Sequence, residues 1–151
     1  MNIWKSNNWE SIVDVENLNY RSGLRLVFKK NINNEVKRAS IEYANWLRKK
    51  YLFPIRIPIY FKASTHVKTQ ESELVSAKIF EPFDKTLESY ISIATGDIVE
   101  KELNRGKDNA LAGILGSITH ELTHYFQWIN DVNLTDKQAE RQANYYRKKI
   151  I

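Results

Sequence analysis

Residues 109–128, NALAGILGSITHELTHYFQW, decide how this chain is built. Apolar side chains fall at Leu111, Leu115, Ile118, Leu122 and Phe126, and just beyond at Ile129. Steps of three and four residues place them on one face of a helix. The spacing predicts a long helix from Asn109 to about Trp128, with Asp108 as its cap. Gly113, Gly116 and Ser117 are weak helix formers, but their small size lets a neighbouring element come close.

The same stretch contains His120-Glu121-Leu122-Thr123-His124. Histidines at i and i+4 lie one turn apart on the same helix face. Two imidazoles so placed can grip one zinc ion. Glu121, beside the first histidine, is not a ligand. It sits next to the water that the metal carries and can take its proton. Two of the three histidines in the chain fall in this motif, inside a segment that its apolar spacing independently makes helical. As mere helix caps or backbone partners, His120 and His124 would leave Glu121 unexplained on a helix already rich in core residues.

A catalytic zinc takes three protein ligands and keeps one position for water. The chain has no cysteine, and no histidine follows His124. His66 lies upstream, in the polar stretch 63–74. The downstream carboxylates are Asp131, Asp136 and Glu140. Asp131 would need a very tight reversal after the motif helix. Asp136 falls at the start of the next helix, where the helix dipole already accounts for an acid. Glu140 lies about one turn inside that helix, a rigid element that can double back on the histidines, and is the favoured third ligand. Asn144, one turn further on the same face, can hydrogen-bond a ligand histidine and fix its tautomer. Tyr125, Tyr145, Tyr146 and His66 are candidate donors to the oxyanion formed on an attacked carbonyl.

Working outward, Thr135-Asp-Lys-Gln138 is a capping-box pattern that starts a final helix to about Lys149. Upstream, Asn33-Asn34 caps a helix over 34–51, with apolar residues at Val36, Ala39, Tyr43, Trp46, Leu47 and Tyr51. Pro54 stops it. Ile55–Phe61, Leu74–Phe80 and Glu88–Thr95 read as strands, and Pro58 suggests an edge position for the first. Glu81-Pro-Phe-Asp84 is a turn signal between the second and third. Gly96-Asp97 closes the third strand, and a charged stretch runs on to Gly106-Lys-Asp-Asn109. Leu24–Phe28 reads as a short strand, and residues 1–23 as an irregular polar segment punctuated by Trp4, Trp9 and Tyr20. Strands and helices are segregated, so the expected class is α+β.

The chain has 151 residues, the size of one domain with a core of its own. With 42% hydrophobic and 27% charged residues, it is neither disordered nor fibrous. The absence of cysteine excludes disulfides, zinc fingers, iron–sulfur clusters and thiol catalysis. The net charge of +5 invites a nucleic-acid partner. The basic residues are dispersed, however, and the densest groups, 48–50 and 147–149, fall where helices end and complement the dipole there. No nucleic acid is expected. No apolar run reaches bilayer length and no signal-peptide core is present, so no membrane partner is expected and the location is expected to be cytoplasmic.

His120-Glu121-x-x-His124 followed by Glu140-Arg-Gln-Ala-Asn144 resembles the gluzincin clan of zinc peptidases, in which two histidines and a glutamate from the next helix bind zinc. The short chain is most similar to the minigluzincins. That resemblance implies a zincin-like domain over residues 34–151: a backing helix, a small, mainly antiparallel sheet of three or four strands, an active-site helix and a glutamate helix. Residues 1–33 would pack on or over this domain, completing its core through Trp4 and Trp9 or covering its cleft. Glu140–Tyr146 is also similar to the glutamate helix of the ImmA/IrrE family, intracellular peptidases that cut helix-turn-helix repressors. The resemblance implies a zinc-dependent metalloendopeptidase acting on protein or peptide substrates. Zinc would be held by His120, His124 and Glu140, and Glu121 would act as the base. The substrate would lie extended along Glu88–Thr95, joined by backbone bonds. The alternative is a non-catalytic interaction or regulatory protein that keeps the gluzincin fold, a role that Glu121→Gln would leave intact.

Overall fold

The computed structural model describes residues 2–13 and 21–132. In chain order the elements are β1 (Leu24–Phe28), α1 (Asn34–Lys50), β2 (Ile57–Lys62), β3 (Val67–Lys68), β4 (Leu74–Val75), β5 (Ala77–Phe80), β6 (Tyr90–Ala94), α2 (Ile98–Arg105) and α3 (Lys107–Ile129). Two short 3-10 turns, Ile3–Lys5 and Asn8–Ser11, precede them. Among the described residues this is a mixed helix–sheet molecule with three helices and one four-stranded sheet. No helix among them is long and apolar enough to cross a membrane.

The sheet follows from alternation. Its strand order is β1-β2-β6-β5. In register, Leu24, Leu26 and Phe28 stand beside Ile57, Ile59 and Phe61, and the last two stand beside Ile91 and Ile93. Ala77 and Ile79 of β5 continue the row. Residues in register share a face, so one face of the sheet is aliphatic and aromatic from edge to edge. It forms one cluster with Val36, Tyr43 and Leu47 of α1 and Leu115, Ile118 and Leu122 of α3. The other face carries Tyr60, Tyr90 and Phe80, whose rings touch in sequence at 5.9 and 5.3 Å. The small hairpin β3–β4 is tied to this region by the Lys78 ammonium, which donates to the Lys68 carbonyl at 2.5 Å.

The sheet is not mainly antiparallel. β1–β2 and β2–β6 are parallel, and only β5–β6 is antiparallel. The first of these pairs is closed by α1 as the crossover, a parallel unit that needs a helix-length connection. Pro58 does not mark an edge either, because β2 lies between β1 and β6. The Ile57 N–H bonds to Gly23 on the β1 side, so the imide nitrogen of Pro58 faces the other way, one residue before the β6 ladder begins at Ile59. No ladder bond is lost there. The strand expected over Leu74–Phe80 breaks at Ser76 into β4 and β5.

Asn33 caps α1 as its sequence predicts, accepting from the Glu35 and Val36 N–H groups at 2.8 and 3.3 Å. At the other end Arg48 donates twice to the Leu24 carbonyl, at 3.1 and 2.7 Å, fixing α1 against the start of β1. The charged stretch after Gly96 is helical over α2, of which only Ile98 is buried. α3 begins two residues earlier than expected. Its N-cap is Gly106, at φ 84°, and Asp108 sits in the first turn instead. Gly96 is required for a different reason. A Cβ there would collide with the backbone of Ala63 and Ser64, so only glycine lets β6 end against the chain leaving β2.

The N-terminal turns belong to the core. Trp4 is 3% exposed and packs against Tyr51 and Phe126 at 5.0 and 4.7 Å. The Trp9 N–H donates to the Asn130 side chain at 2.8 Å. Residues 24–28, expected within a segment lying on or over the domain, are a strand of its sheet.

Candidate metal site

α3 is buried nearly all round. From Ala110 to Ile129 only Gly113, Ser117 and His120 are even partly open. These positions, spaced four and three apart, lie on one stripe, and His124 continues it one turn on. The stripe is where α3 offers its side chains to something other than core.

Polar bonds on the other faces of the helix fix its rotation. The Thr119 hydroxyl donates to the Leu115 carbonyl at 2.8 Å and is hydrogen-bonded to the Tyr43 hydroxyl of α1. The Thr123 hydroxyl donates to the Thr119 carbonyl at 2.8 Å and accepts the Trp4 indole N–H at 2.9 Å. The Tyr125 hydroxyl donates to the Ile55 carbonyl and accepts the Ile55 N–H at 3.0 Å. The Trp128 indole donates to the Pro82 carbonyl at 3.0 Å. The helix ends with Asp131 at φ 54°. The Val132 N–H reaches the Gln127 carbonyl and the Asp131 N–H reaches that of Trp128, a Schellman closure. Lys85 steadies this turn with an ion pair to Asp131 at 2.6 Å.

With the rotation set, the rings of His120 and His124 stand 4.9 Å apart with their planes at 75°. Glu121 and His124 are each 7% exposed, whereas His120 is half-buried. Nδ1 of His124 lies 2.9 Å from Oε1 of the fully buried Gln127. An amide oxygen can only accept, so Nδ1 of His124 donates to it. Metal-binding histidines donate one ring N–H to a neighbouring acceptor in this way, which fixes the ring's orientation. This donor set fits zinc.

Gln127 was not among the residues singled out in the sequence. The available signal was its position, three residues after His124 on a helix whose other faces are apolar, where a buried amide needs a partner.

The remaining site residues divide plainly. Glu140, Asn144, Tyr145 and Tyr146, like Asp136, lie outside the described residues. His66 is exposed beside β3, with Nδ1 3.2 Å from the Thr65 hydroxyl. Asp131 is turned to Lys85. Among the described residues no group of three His, Asp or Glu side chains is placed to hold a metal ion, so neither His66 nor Asp131 joins the histidine pair there. Tyr125 is withdrawn from the oxyanion role. Its hydroxyl is buried and doubly bonded to Ile55, and burial pushes its pKa well above the usual phenol value. The strand expected to receive substrate, β6, is paired on both sides and has no free edge. Among the described residues the unpaired edges of the four-stranded sheet belong to β1 and β5.

Compared with known proteins, the chain matches no family model, no curated protein and no solved structure.

Proposed function

We propose that the protein is a zinc-dependent metalloendopeptidase. The observation that carries the reading is the paired imidazoles of His120 and His124, 4.9 Å apart on a rotationally fixed helix, with Glu121 beside them. The fold is read as zincin-like, with α1 as the backing helix, α3 as the active-site helix and a glutamate helix to follow. His120, His124 and Glu140 would hold the metal, and Gln127 orients the ring of His124 through its Nδ1. Zinc held there supplies Lewis acidity, making a water more acidic and a carbonyl more electrophilic. Glu121 takes the proton of the attacking water as its oxygen bonds to the carbonyl carbon. It returns that proton to the amine as the carbon–nitrogen bond breaks. Glu121 is 7% exposed, so solvent screens a charge on it little. The substrate is an extended polypeptide on the free edge of β5, which α3 packs beside.

Elemental analysis of protein purified without chelator tests the site. The reading expects about one zinc per chain in the wild type and its loss in His124→Ala. Glu121→Gln should keep the metal and lower peptide cleavage at least about 100-fold. A wild type that takes up no zinc on reconstitution overturns the reading. A zinc-loaded Glu121→Gln variant that still supports every cellular role of the protein favours the interaction protein.

A further inference from the structure

The edge of β5 borders a cleft of about 660 Å³ that the chemistry above leaves unused. Phe80, Glu81, Phe83 and Tyr90 line it, with Lys78 and Glu71. Phe80 and Tyr90 form an aromatic floor, their rings 5.3 Å apart and partly open. Phe83 is fully exposed at its rim. Glu81 follows directly on β5, and its Oε2 is out of solvent with no hydrogen-bond partner among the described residues. Among the described residues Lys85 acts on it through its charge alone. Lys78 donates to the Lys68 carbonyl, and Lys85 is paired with Asp131 and lies over the Trp128 ring at 5.6 Å.

A carboxylate oxygen with no hydrogen-bond partner among the described residues, in a cleft floored by two rings, matches one class of ligand, a cation on an apolar stem. The stem lies on the rings and the head meets both ring faces and carboxylate. We propose that this cleft takes an arginine or lysine side chain of a polypeptide paired with the β5 edge, its stem on Phe80 and Tyr90 and its cationic head at Glu81. A strand added to β5 sends alternate side chains to opposite faces of the sheet. One set therefore enters the cleft while the other points to the face that α3 covers. Glu81 is thus a specificity residue for a basic side chain, and the assignment rests on the peptidase reading only for calling the polypeptide a substrate. Burial supports it by pushing the Glu81 carboxyl up to about 7, with Lys85 pulling the other way. A cation entering the cleft would relieve that burial cost.

The test separates this assignment from catalysis. Full-length Glu121→Gln protein is titrated at about pH 8 into fluorescein-labelled extended peptides that differ only at one central residue, arginine or its neutral analogue citrulline. Anisotropy should show the arginine peptide binding about tenfold or more tightly. Glu81→Gln should abolish the difference while leaving citrulline-peptide affinity unchanged. The arginine–citrulline comparison on unaltered Glu81 stands even if that variant folds poorly. Equal affinities, no binding of either peptide, or a preference that survives in folded Glu81→Gln overturns the proposal. Zinc content and hydrolysis are read on separate samples, so failure of one reading is not failure of the other.

Discussion

Gln127 accepts from Nδ1 of His124 and so orients the ring. Replacing it by leucine leaves Nδ1–H without its acceptor and the imidazole free to tip. Gln127→Leu should weaken zinc binding about 10- to 100-fold by chelator competition, whereas Gln127→Glu, which keeps an acceptor, should hold it near the wild-type value. Glu81 offers a second prediction at this scale, on stability. Its carboxyl is raised from 4.5 to about 7 by burial, against the influence of Lys85. Between those values the folded chain holds a proton that the unfolded chain has released. The contribution of Glu81 to stability is therefore greatest below about pH 4.5 and is lost as pH rises through about 7. Glu81→Gln removes this slope. The variant should match the wild type in melting temperature at low pH and exceed it by roughly 2–4 °C above pH 7, a modest amount because the side chain is partly solvated.

The elements hold the site through bonds that the sequence does not advertise. Thr123, inside the motif, points away from the metal side and accepts the indole N–H of Trp4 from the far end of the chain. Thr123→Val keeps the shape and strands that donor in the core, so urea unfolding should show a loss of about 1–3 kcal/mol. The Trp4→Phe/Thr123→Val double variant should lose about 1 kcal/mol less than the sum of the singles. The contrast with what was legible is instructive. β1, α1 and the span of α3 could be read because each carries its own period and, for α1, its own cap. α2 could not, because with Ile98 alone buried it has almost no apolar stripe to display. Strand direction could not either. The partners of β2 are set by the crossover through α1 and by pairing with β6 about 30 residues on, and no local pattern encodes that choice. The histidine pair and Glu121 were legible from spacing alone. Gln127 and Glu81 were not, since their roles come from what surrounds them rather than from a motif.

At the scale of the whole molecule α3 acts as the spine. It touches the first 3-10 turn, α1, α2, β5 and β6, so elements from both ends of the described chain meet on it. β2 and β6 are buried between neighbouring strands, and their core-facing isoleucines and Phe61 are wholly inaccessible. Among the described residues α3 shares one apolar cluster with the sheet, so opening it uncovers that face. Turning α3 would break the Trp4, Tyr43, Tyr125 and Trp128 bonds together. The hairpin β3–β4 has only two residues per strand, and α2 leaves Val99 and Leu103 in solvent. Opening either therefore exposes little apolar surface. Native-state hydrogen exchange should separate two classes. Amides of 115–128 in α3 and of β2 and β6 should exchange only with global unfolding, sharing one opening free energy and one urea dependence. Amides of β3, β4 and α2 should exchange at least about 100-fold faster and respond little to urea. If instead the second half of α3 opened with the fast class, the histidine pair would sit on a mobile helix. The fixed geometry on which the metal reading depends would then be lost.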